Sequence, residues 1–221
     1  MNDHSLLNEG SEDIHPSRGA RRRARTRADL LVAARQVFAT RGYHETSIAE
    51  ITAAADVGVG TFYLHFRDKD EVLSALLQEG LTGLRQQIAR SLVTARPAQQ
   101  IPTVIQAIFN FAYSNRDLFS IVLTGGSPLG VGFRARAELA DLLAGVLEAA
   151  EARGMLLGYD IPLLARMLSG VIAQGILWWM EYDTPDPAGM TAQMLRLLRE
   201  GLPPALLADP PTSPECGKET L

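Results

Sequence analysis

One group of side chains in the first third of the chain has the charge and density needed to bind a polyanion. Five arginines lie between Arg21 and Arg27. Groups of this kind donate hydrogen bonds to phosphate oxygens and base edges. Nucleic acid is therefore the first partner to consider.

The distribution of charge favours the same partner, although the net charge of −4 argues weakly against it. Residues 16–67 contain nine arginines and four acidic residues, whereas the rest of the chain contains 12 basic and 21 acidic residues. A basic segment attached to an acidic remainder is typical of a DNA-binding domain joined to a second domain.

The other reactive side chains form no pattern typical of an enzyme. The chain has no zinc-protease, serine-hydrolase or phosphate-loop motif, and the glycine-rich segment 125–130 lacks the Lys-Ser/Thr pair of a phosphate loop. No histidine stands beside a carboxylate pair or a cysteine; the four are His4, His15, His44 and His65. We therefore expect no catalytic residue, no cofactor and no metal, and hence no enzyme.

Composition also bears on where the protein resides. The single cysteine, Cys216, excludes an intrachain disulfide and fits a reduced, cytoplasmic setting. The chain has no run of about 18 apolar residues, and its N-terminal segment lacks the apolar core of a signal peptide. We expect a cytoplasmic protein with no membrane partner.

The hydrophobic periodicity predicts an all-α fold with no strand. A first helix is expected from about Arg25 to Arg41 and ends at Gly42. A second begins at Ser47, where Ser47 and Glu50 form a capping box. After a break at Asp56–Gly58, a short third helix covers Val59–Phe66, and a long fourth runs from Asp68 towards Arg96. Two short helices braced by a longer one predict a helix-turn-helix.

The residues of this segment carry a specific resemblance. From Ala33 to Leu77 the sequence is AARQVFATRGYHETSIAEITAAADVGVGTFYLHFRDKDEVLSALL, with the pieces F-x-x-x-G-Y, T-S-I-x-x-I, G-T-F-Y-x-H-F and x-D-K-D-x-x-L. This stretch closely resembles the DNA-binding domain of the tetracycline-repressor (TetR) family. The resemblance implies a palindromic double-stranded operator as partner and a homodimer that binds it.

The resemblance also implies roles for individual residues. Val59–Phe66 would be the recognition helix in the major groove, with Phe62 and Phe66 facing inward and Gly60 allowing close approach of the backbone to DNA. The expected DNA-binding residues are Arg25, Thr46, Ser47, Gly58, Val59, Gly60, Thr61, Tyr63, Leu64, His65 and Lys69. Alternatives stay open: Tyr63 as an exposed packing residue, His65 as a surface histidine, and the arginine run as a solvated tail.

Three positions depart from the commonest pattern of the family. Asp56 stands where the turn usually has glycine, and aspartate tolerates the left-handed conformation better than most residues. Gly58 and Val59 replace the usual Ser and Lys at the start of the recognition helix. The operator is therefore expected to be this protein's own, and Val59 is expected to contact a thymine methyl group.

The second half is expected to be a helical bundle that binds a ligand and dimerises, with helices near 99–114, 116–124, 129–153, 160–182 and 187–201. The helix at 160–182 is apolar nearly all round, so both of its sides must be covered. By the family resemblance, it would form a four-helix dimer interface with the last helix, through Met167, Val171, Gly175, Met190, Met194 and Leu197. The alternative is that it is only the central core helix.

Most aromatic residues also lie in this half, which suits a small apolar or amphipathic ligand. The expected ligand-binding residues are Phe109, Asn110, Tyr113, Phe119, Phe133, Gln174 and Trp178. Each could instead belong to the core. The Trp178–Trp179 pair resembles regulators that respond to fatty acyl compounds or hydrophobic drugs.

Together these features predict four segments: a disordered basic arm over 1–22, a helix-turn-helix domain over 23–70, a ligand-binding and dimerisation domain over 71–202, and an irregular Pro-rich tail over 203–221. The predicted function is a ligand-responsive transcriptional repressor, with recognition helices about 34–36 Å apart in the dimer. A helical protein-binding module and an activator are the alternatives. Steep loss of binding with salt would distinguish the DNA-binding protein from the module.

Overall fold

The computed structural model describes residues 17–123 and 130–201, and every regular element within these ranges is helical. The all-α fold class is therefore confirmed. The elements in chain order are α1 Arg18–Arg41, α2 Ile48–Ala54, α3 Val59–Tyr63, α4 Lys69–Leu92, a 3-10 turn Pro97–Gln99, α5 Gln100–Ser114, α6 Arg116–Leu123, α7 Val131–Glu151, α8 Ile161–Tyr182 and α9 Pro187–Glu200.

The first helix begins earlier than the sequence suggested. Residues 18–22 were expected to be disordered, but α1 starts at Arg18, where the Ser17 hydroxyl accepts a hydrogen bond from the Ala20 amide at 3.2 Å. Arginine and alanine are good helix formers, and a serine cap satisfies one of the free amides at the helix start. The rest of the predicted arm, residues 1–16, and the tail over 203–221 lie outside the described residues.

The chain divides into two compact units, Met1–Leu76 and Leu77–Leu221, and the boundary falls within α4. The sequence placed this boundary earlier, between residues 70 and 71. The first two turns of α4 belong to the first unit because Val72 and Leu73 are fully buried there. The rest of α4 belongs to the second unit.

The first unit is a three-helix head with an apolar core, built mainly from α1, α2 and α3 (Leu30, Leu31, Ala34, Phe38, Ile51, Phe62, Phe66). The turn between α2 and α3 depends on Asp56, whose φ is 53°. Aspartate is one of the few residues with a side chain that adopt this conformation at modest cost. The prediction that the turn survives without glycine is confirmed.

The second unit is a helical bundle whose core comes mainly from α5, α7, α8 and α9, with Trp179 buried at its centre. Two glycines let α4 approach its neighbours closely. A Cβ atom at Gly80 would overlap the Leu118 side chain, and one at Gly83 would lie 3.2 Å from the Phe111 ring. These contacts bring α4 against α5 and α6.

Helix α8 is long and apolar enough to cross a membrane by length and composition. In the structure one side of it, including Ile172, Ile176 and Trp179, packs in the core of the second unit. The other side exposes apolar residues, among them Leu163, Met167 and Val171. A core helix with one uncovered apolar side accounts for this composition.

The conformation of Asp56 generates a first prediction. Asp56→Ala should lower the free energy of unfolding by about 1 kcal/mol, because a Cβ without a polar group is disfavoured in the left-handed region. Asp56→Gly should match or exceed the wild-type stability. Urea denaturation followed by circular dichroism measures both. Equal destabilisation by the two substitutions would show that the Asp56 side chain matters for another reason.

Candidate nucleic-acid interface and effector cavity

The recognition helix α3 is built as a short amphipathic segment. It covers Val59–Tyr63 and is shorter than the predicted Val59–Phe66. Leu64 and His65 continue as a turn, in which the Phe66 amide donates to the Phe62 carbonyl at 2.9 Å. Phe62 and Phe66 are buried, at 0% and 2% exposure, with ring centroids 5.8 Å apart. The predicted inward direction of both rings is confirmed, and it fixes which side of α3 faces solvent.

The opposite side of α3 presents a mixed apolar and hydrogen-bonding surface. Val59, Tyr63 and Leu64 are exposed, and nothing lies within 4 Å of the space a side chain would occupy at Gly58 or Gly60. Such a surface, with backbone accessible at two glycines, can enter a major groove closely. The outward direction is as predicted, and contact with DNA stays a prediction for these residues and for the half-buried Thr61.

The start of α2 contains the predicted capping box. The Ser47 hydroxyl accepts a hydrogen bond from the Glu50 amide at 3.2 Å, and a Glu50 oxygen accepts from the Ser47 amide at 2.8 Å. Arg41 forms an ion pair with the same carboxylate. The hydrogen bonds from the Ser47 backbone and hydroxyl, followed by the charge of Arg41, lower the pKa of Glu50. Ser47 is exposed, its hydroxyl donates to the Glu50 carboxylate at 2.8 Å, and its phosphate contact stays a prediction.

Two predicted DNA contacts require correction. Thr46 is only 2% exposed and its hydroxyl donates to the Gly42 carbonyl at 2.7 Å, so this side chain stabilises the loop before α2. The Lys69 ammonium donates to the carbonyls of Tyr43 (2.9 Å), His44 (3.3 Å) and Thr46, and lies 4.8 Å from the Tyr43 ring centroid. An ammonium has three donors. In this arrangement Lys69 fastens α4 to the α1–α2 loop.

The neighbouring Tyr43 strengthens the same junction. Its hydroxyl donates to the Asp70 carboxylate. Burial, together with this hydrogen bond and the charges of Asp70 and Asp68, raises the pKa of Tyr43. Further along, the Asp68 carboxylate caps α4 by accepting from the Glu71 amide at 2.8 Å.

His65 lies beside two arginines of α1. Arg23 donates to the Leu64 carbonyl at 2.9 Å, and Arg27 lies 4.9 Å from the Phe66 ring centroid. Burial, followed by the charges of Arg23 and Arg27, lowers the pKa of His65 and favours its neutral form. Arg25 is exposed. Both His65 and Arg25 stay predictions as DNA-binding residues.

The second unit contains an apolar cavity of about 60 Å³ between α4, α5, α6, α7 and α8. Of its fourteen lining residues, Arg136 alone carries a charge. The lining residues are Leu77, Gly80, Leu81, Leu84, Ile108, Phe111, Leu118, Phe119, Val122, Ala135, Arg136, Leu139, Ala173 and Ile176. The surface of the cavity is apolar, and the exposed Arg136 borders it with the apolar part of its side chain. A cavity of this chemistry suits an apolar group.

Among the predicted ligand-binding residues, only Phe119 lines this cavity. The other six do not line it, and their role in ligand binding stays a prediction. Phe109 is buried against Gly175, and the remaining five are exposed: Asn110, Tyr113, Phe133, Gln174 and Trp178. The prediction missed the part of the cavity wall that α4 forms. The sequence does contain a signal for it, because four residues recur at helical spacing along one face of α4: Leu77, Gly80, Leu81 and Leu84.

Some of the residues predicted at the dimer interface are exposed and others are buried. Met167, Val171 and Leu197 are exposed and available to a partner. Met190 and Met194 belong to the unit's own core, and Gly175 faces Phe109, so these three predictions are wrong. Trp178 and Tyr182, stacked with centroids 4.1 Å apart, are exposed on the same helix as Met167. The uncovered apolar surface therefore runs along α8, and α9 separately exposes Leu197.

Within residues 17–123 and 130–201, no group of three or more His, Cys, Asp or Glu side chains is placed to hold a metal ion.

Comparison with known proteins agrees with this architecture. Residues 30–76 match the family model of bacterial regulatory proteins of the tetR family. The chain is 24% identical over 183 residues to a fatty acid metabolism regulator protein of Bacillus subtilis (strain 168), which covers 78% of this chain and 93% of that protein. It is 32% identical over 117 residues to the HTH-type transcriptional activator FasR of Mycolicibacterium smegmatis, covering 50% of this chain and 53% of FasR.

Among solved structures, the fold is similar to that of the transcriptional regulator FadR from Bacillus subtilis in complex with stearoyl-CoA. The TM-score is 0.69 at 23% sequence identity, over 80% of this chain and 99% of FadR. The likeness extends over both units, so the helical second unit also has the fold of such a regulator.

The exposure of Val59 generates a second prediction. Val59→Ser should change the preferred base at one position in each half-site, because we expect the exposed valine methyl groups to contact a thymine methyl. Selection of bound duplexes from a randomised pool measures the preference. Val32→Ser, at an exposed valine of α1, is the matched control and should select the wild-type sequence. An unaltered preference in Val59→Ser would contradict the assignment.

Proposed function

Because this chain belongs to the tetR family of bacterial regulatory proteins, we propose that it is a homodimeric repressor released from its operator by a long-chain acyl ligand. Two helix-turn-helix heads bind the two halves of a palindromic operator, and the ligand enters the apolar cavity of the second unit. The observation that carries the ligand assignment is the composition of that cavity, thirteen uncharged residues and one arginine.

The class of ligand follows from the lining. Side chains without polar groups favour a hydrocarbon chain, and burying it removes apolar area from water at about 25 cal/mol per Å². Arg136 borders the cavity with apolar atoms and is otherwise exposed, and we propose that its guanidinium bonds an anionic or carbonyl group at the polar end of the ligand. The Bacillus subtilis relative in complex with stearoyl-CoA supports an acyl thioester of coenzyme A as the specific candidate.

The size of the cavity implies movement on binding. Pockets for small molecules typically enclose about 300–1,000 Å³, whereas this cavity encloses about 60 Å³. A long acyl chain therefore requires the walls to separate. Helix α6, which is short and contributes Leu118, Phe119 and Val122, and helix α4, which packs against it through Gly80, are the walls that we propose move.

Helix α4 then provides the connection to DNA binding. Its residues Leu77–Leu84 line the cavity, while its first turn is fastened to the head through Lys69 and Asp70. Displacement of the cavity wall is transmitted along a continuous helix to the head. A difference of about 1–3 kcal/mol in operator affinity between the two states suffices for regulation.

Dimerisation places two heads on one operator. The exposed apolar surface of α8 and α9, including Met167, Val171 and Leu197, is the surface that we propose a second copy covers.

The proposal locates the protein in the cytoplasm, where its DNA is. The known relatives are regulators, and we propose no enzymatic activity.

Activation is the second candidate function, because the Mycolicibacterium smegmatis relative is named as an activator. Transcription from the bound promoter in cells with and without the gene distinguishes the two. Repression predicts that transcription rises when the gene is deleted, and activation predicts that it falls.

The test of ligand release uses operator binding measured by fluorescence anisotropy, on the duplex selected by the wild-type protein. Stearoyl-CoA should weaken wild-type binding about tenfold or more, and octanoyl-CoA should be less effective because its chain buries less apolar area. Arg136→Gln should require a higher concentration of stearoyl-CoA. Arg134→Gln, on an exposed residue outside the lining, is the matched control and should behave as wild type.

Operator affinity that stays constant in the presence of stearoyl-CoA, when the same compound raises the melting temperature of the protein, would contradict the proposed coupling. Equal responses of the two arginine variants would contradict the role of Arg136.

A further inference from the structure

The first three turns of α1 form a basic helix end that the core of the head does not require. The first buried residue of α1 is Leu30 and its first acidic residue is Asp29. Between Arg18 and Ala28 the helix contains six arginines and no acidic residue. This segment extends past the part of α1 that packs against α2 and α3.

The charge of this segment opposes the helix dipole. A helix N-terminus carries a partial positive charge, which disfavours cations there, most strongly in the first turn. The first turn of α1 has no acidic residue to offset this effect. The arrangement is therefore unfavourable in the free protein and becomes favourable when a polyanion lies alongside it.

The six arginines divide into two sets with different surroundings. Arg23 and Arg27, one turn apart, face the end of α3, where Arg23 bonds the Leu64 carbonyl and Arg27 covers the Phe66 ring. The other four lie within about 100° of one another on the opposite side of the helix. All four are exposed, and no ion pair is formed by their guanidinium groups among the described residues: Arg18, Arg21, Arg22 and Arg25.

The position of this second set relative to α3 identifies its partner. Arg23 joins the basic helix end to Leu64, which lies on the surface assigned to the major groove. From Arg18 to Arg25 the helix rises about 10 Å, comparable to three base pairs of duplex at about 3.4 Å each. The set is thus a row of four cations on the helix end that Arg23 fastens to Leu64, on the side of α1 that faces away from Arg23 and Arg27.

We propose that Arg18, Arg21, Arg22 and Arg25 bind the phosphate backbone on the outer flank of each half-site, beyond the base pairs contacted by α3. This inference rests on the proposed operator binding and extends it to a second, sequence-independent contact. It assigns Arg23 and Arg27 a different role, as positioning residues that hold the basic helix end against α3.

The test is the salt dependence of operator binding. Each phosphate contact contributes about 0.9 to the slope of log K against log salt concentration. Arg22→Gln with Arg25→Gln removes two such contacts per head and four per dimer, so the slope should become shallower by about 2 to 4. The base preference should be unchanged, because phosphate contacts carry no sequence information. Arg22→Lys with Arg25→Lys, which keeps both charges, should retain most of the wild-type slope.

The matched control is Arg90→Gln with Arg134→Gln, two exposed arginines of the second unit, which should leave the slope at its wild-type value. A duplex trimmed at both outer flanks should abolish the difference between wild type and Arg22→Gln/Arg25→Gln. The variant should also be at least as stable as wild type in thermal unfolding, since glutamine is a good helix former and the opposing charge is removed.

An unchanged slope for Arg22→Gln/Arg25→Gln on the full-length duplex would overturn the inference while leaving operator binding intact. Failure of the wild-type protein to bind any duplex from the randomised pool would instead overturn the proposed function itself.

Discussion

The regulatory mechanism proposed for this protein depends on a single helix that belongs to both of its units. The first eight residues of α4, Lys69–Leu76, fall in the head, and the following residues form a wall of the cavity. The Lys69 ammonium bonds carbonyls of the α1–α2 loop, and Asp70 accepts the Tyr43 hydroxyl, so the start of α4 is held by polar contacts. The later turns are held by apolar packing at Gly80 and Gly83. Apolar packing adapts to an inserted chain more readily than a network of directed hydrogen bonds does, so the two ends of α4 differ in what can displace them.

In the proposed mechanism, the small volume of the cavity is the reason that α4 would move when a ligand binds. The apolar cavity of about 60 Å³ exceeds the size of a water molecule, which few spaces in a protein interior do, yet it is smaller than typical small-molecule pockets. An acyl chain would stabilise an expanded arrangement by the area that it buries, and only this difference between the two states can shift the equilibrium.

The parts of the structure that depend on neighbouring residues were predictable from the sequence. The capping box at Ser47 and Glu50, the left-handed Asp56 and the inward rings of Phe62 and Phe66 each follow from short-range spacing. Helix boundaries in the second unit also agree closely, because glycines, prolines and asparagine mark them. The start of α1 was predicted too late, since a run of arginines was taken as a solvated arm when a serine cap and helix-forming residues were present.

The parts that depend on tertiary packing were not predictable. On α5, Phe109 and Phe111 are both buried, but only Phe111 lines the cavity. Residue type cannot distinguish the two, because helices α4, α6 and α8 determine which side of α5 borders a void. On α8, which is apolar nearly all round, periodicity cannot say which side is the core, and Gly175 was assigned to the wrong one. Lys69 was expected to bind phosphate because its three carbonyl partners lie more than twenty residues away in sequence.

The central claim, that ligand binding in the second unit moves the heads, is tested most directly by the distance between the two heads of a dimer. Spin labels at Leu64→Cys, in a Cys216→Ser background, report this distance by electron-electron double resonance. The account predicts one distance distribution without ligand, centred near the separation of successive major grooves, about 34–36 Å. A saturating long-chain acyl-CoA should shift and broaden it. The same distribution with and without ligand, in a sample whose melting temperature shows that ligand is bound, would contradict the account.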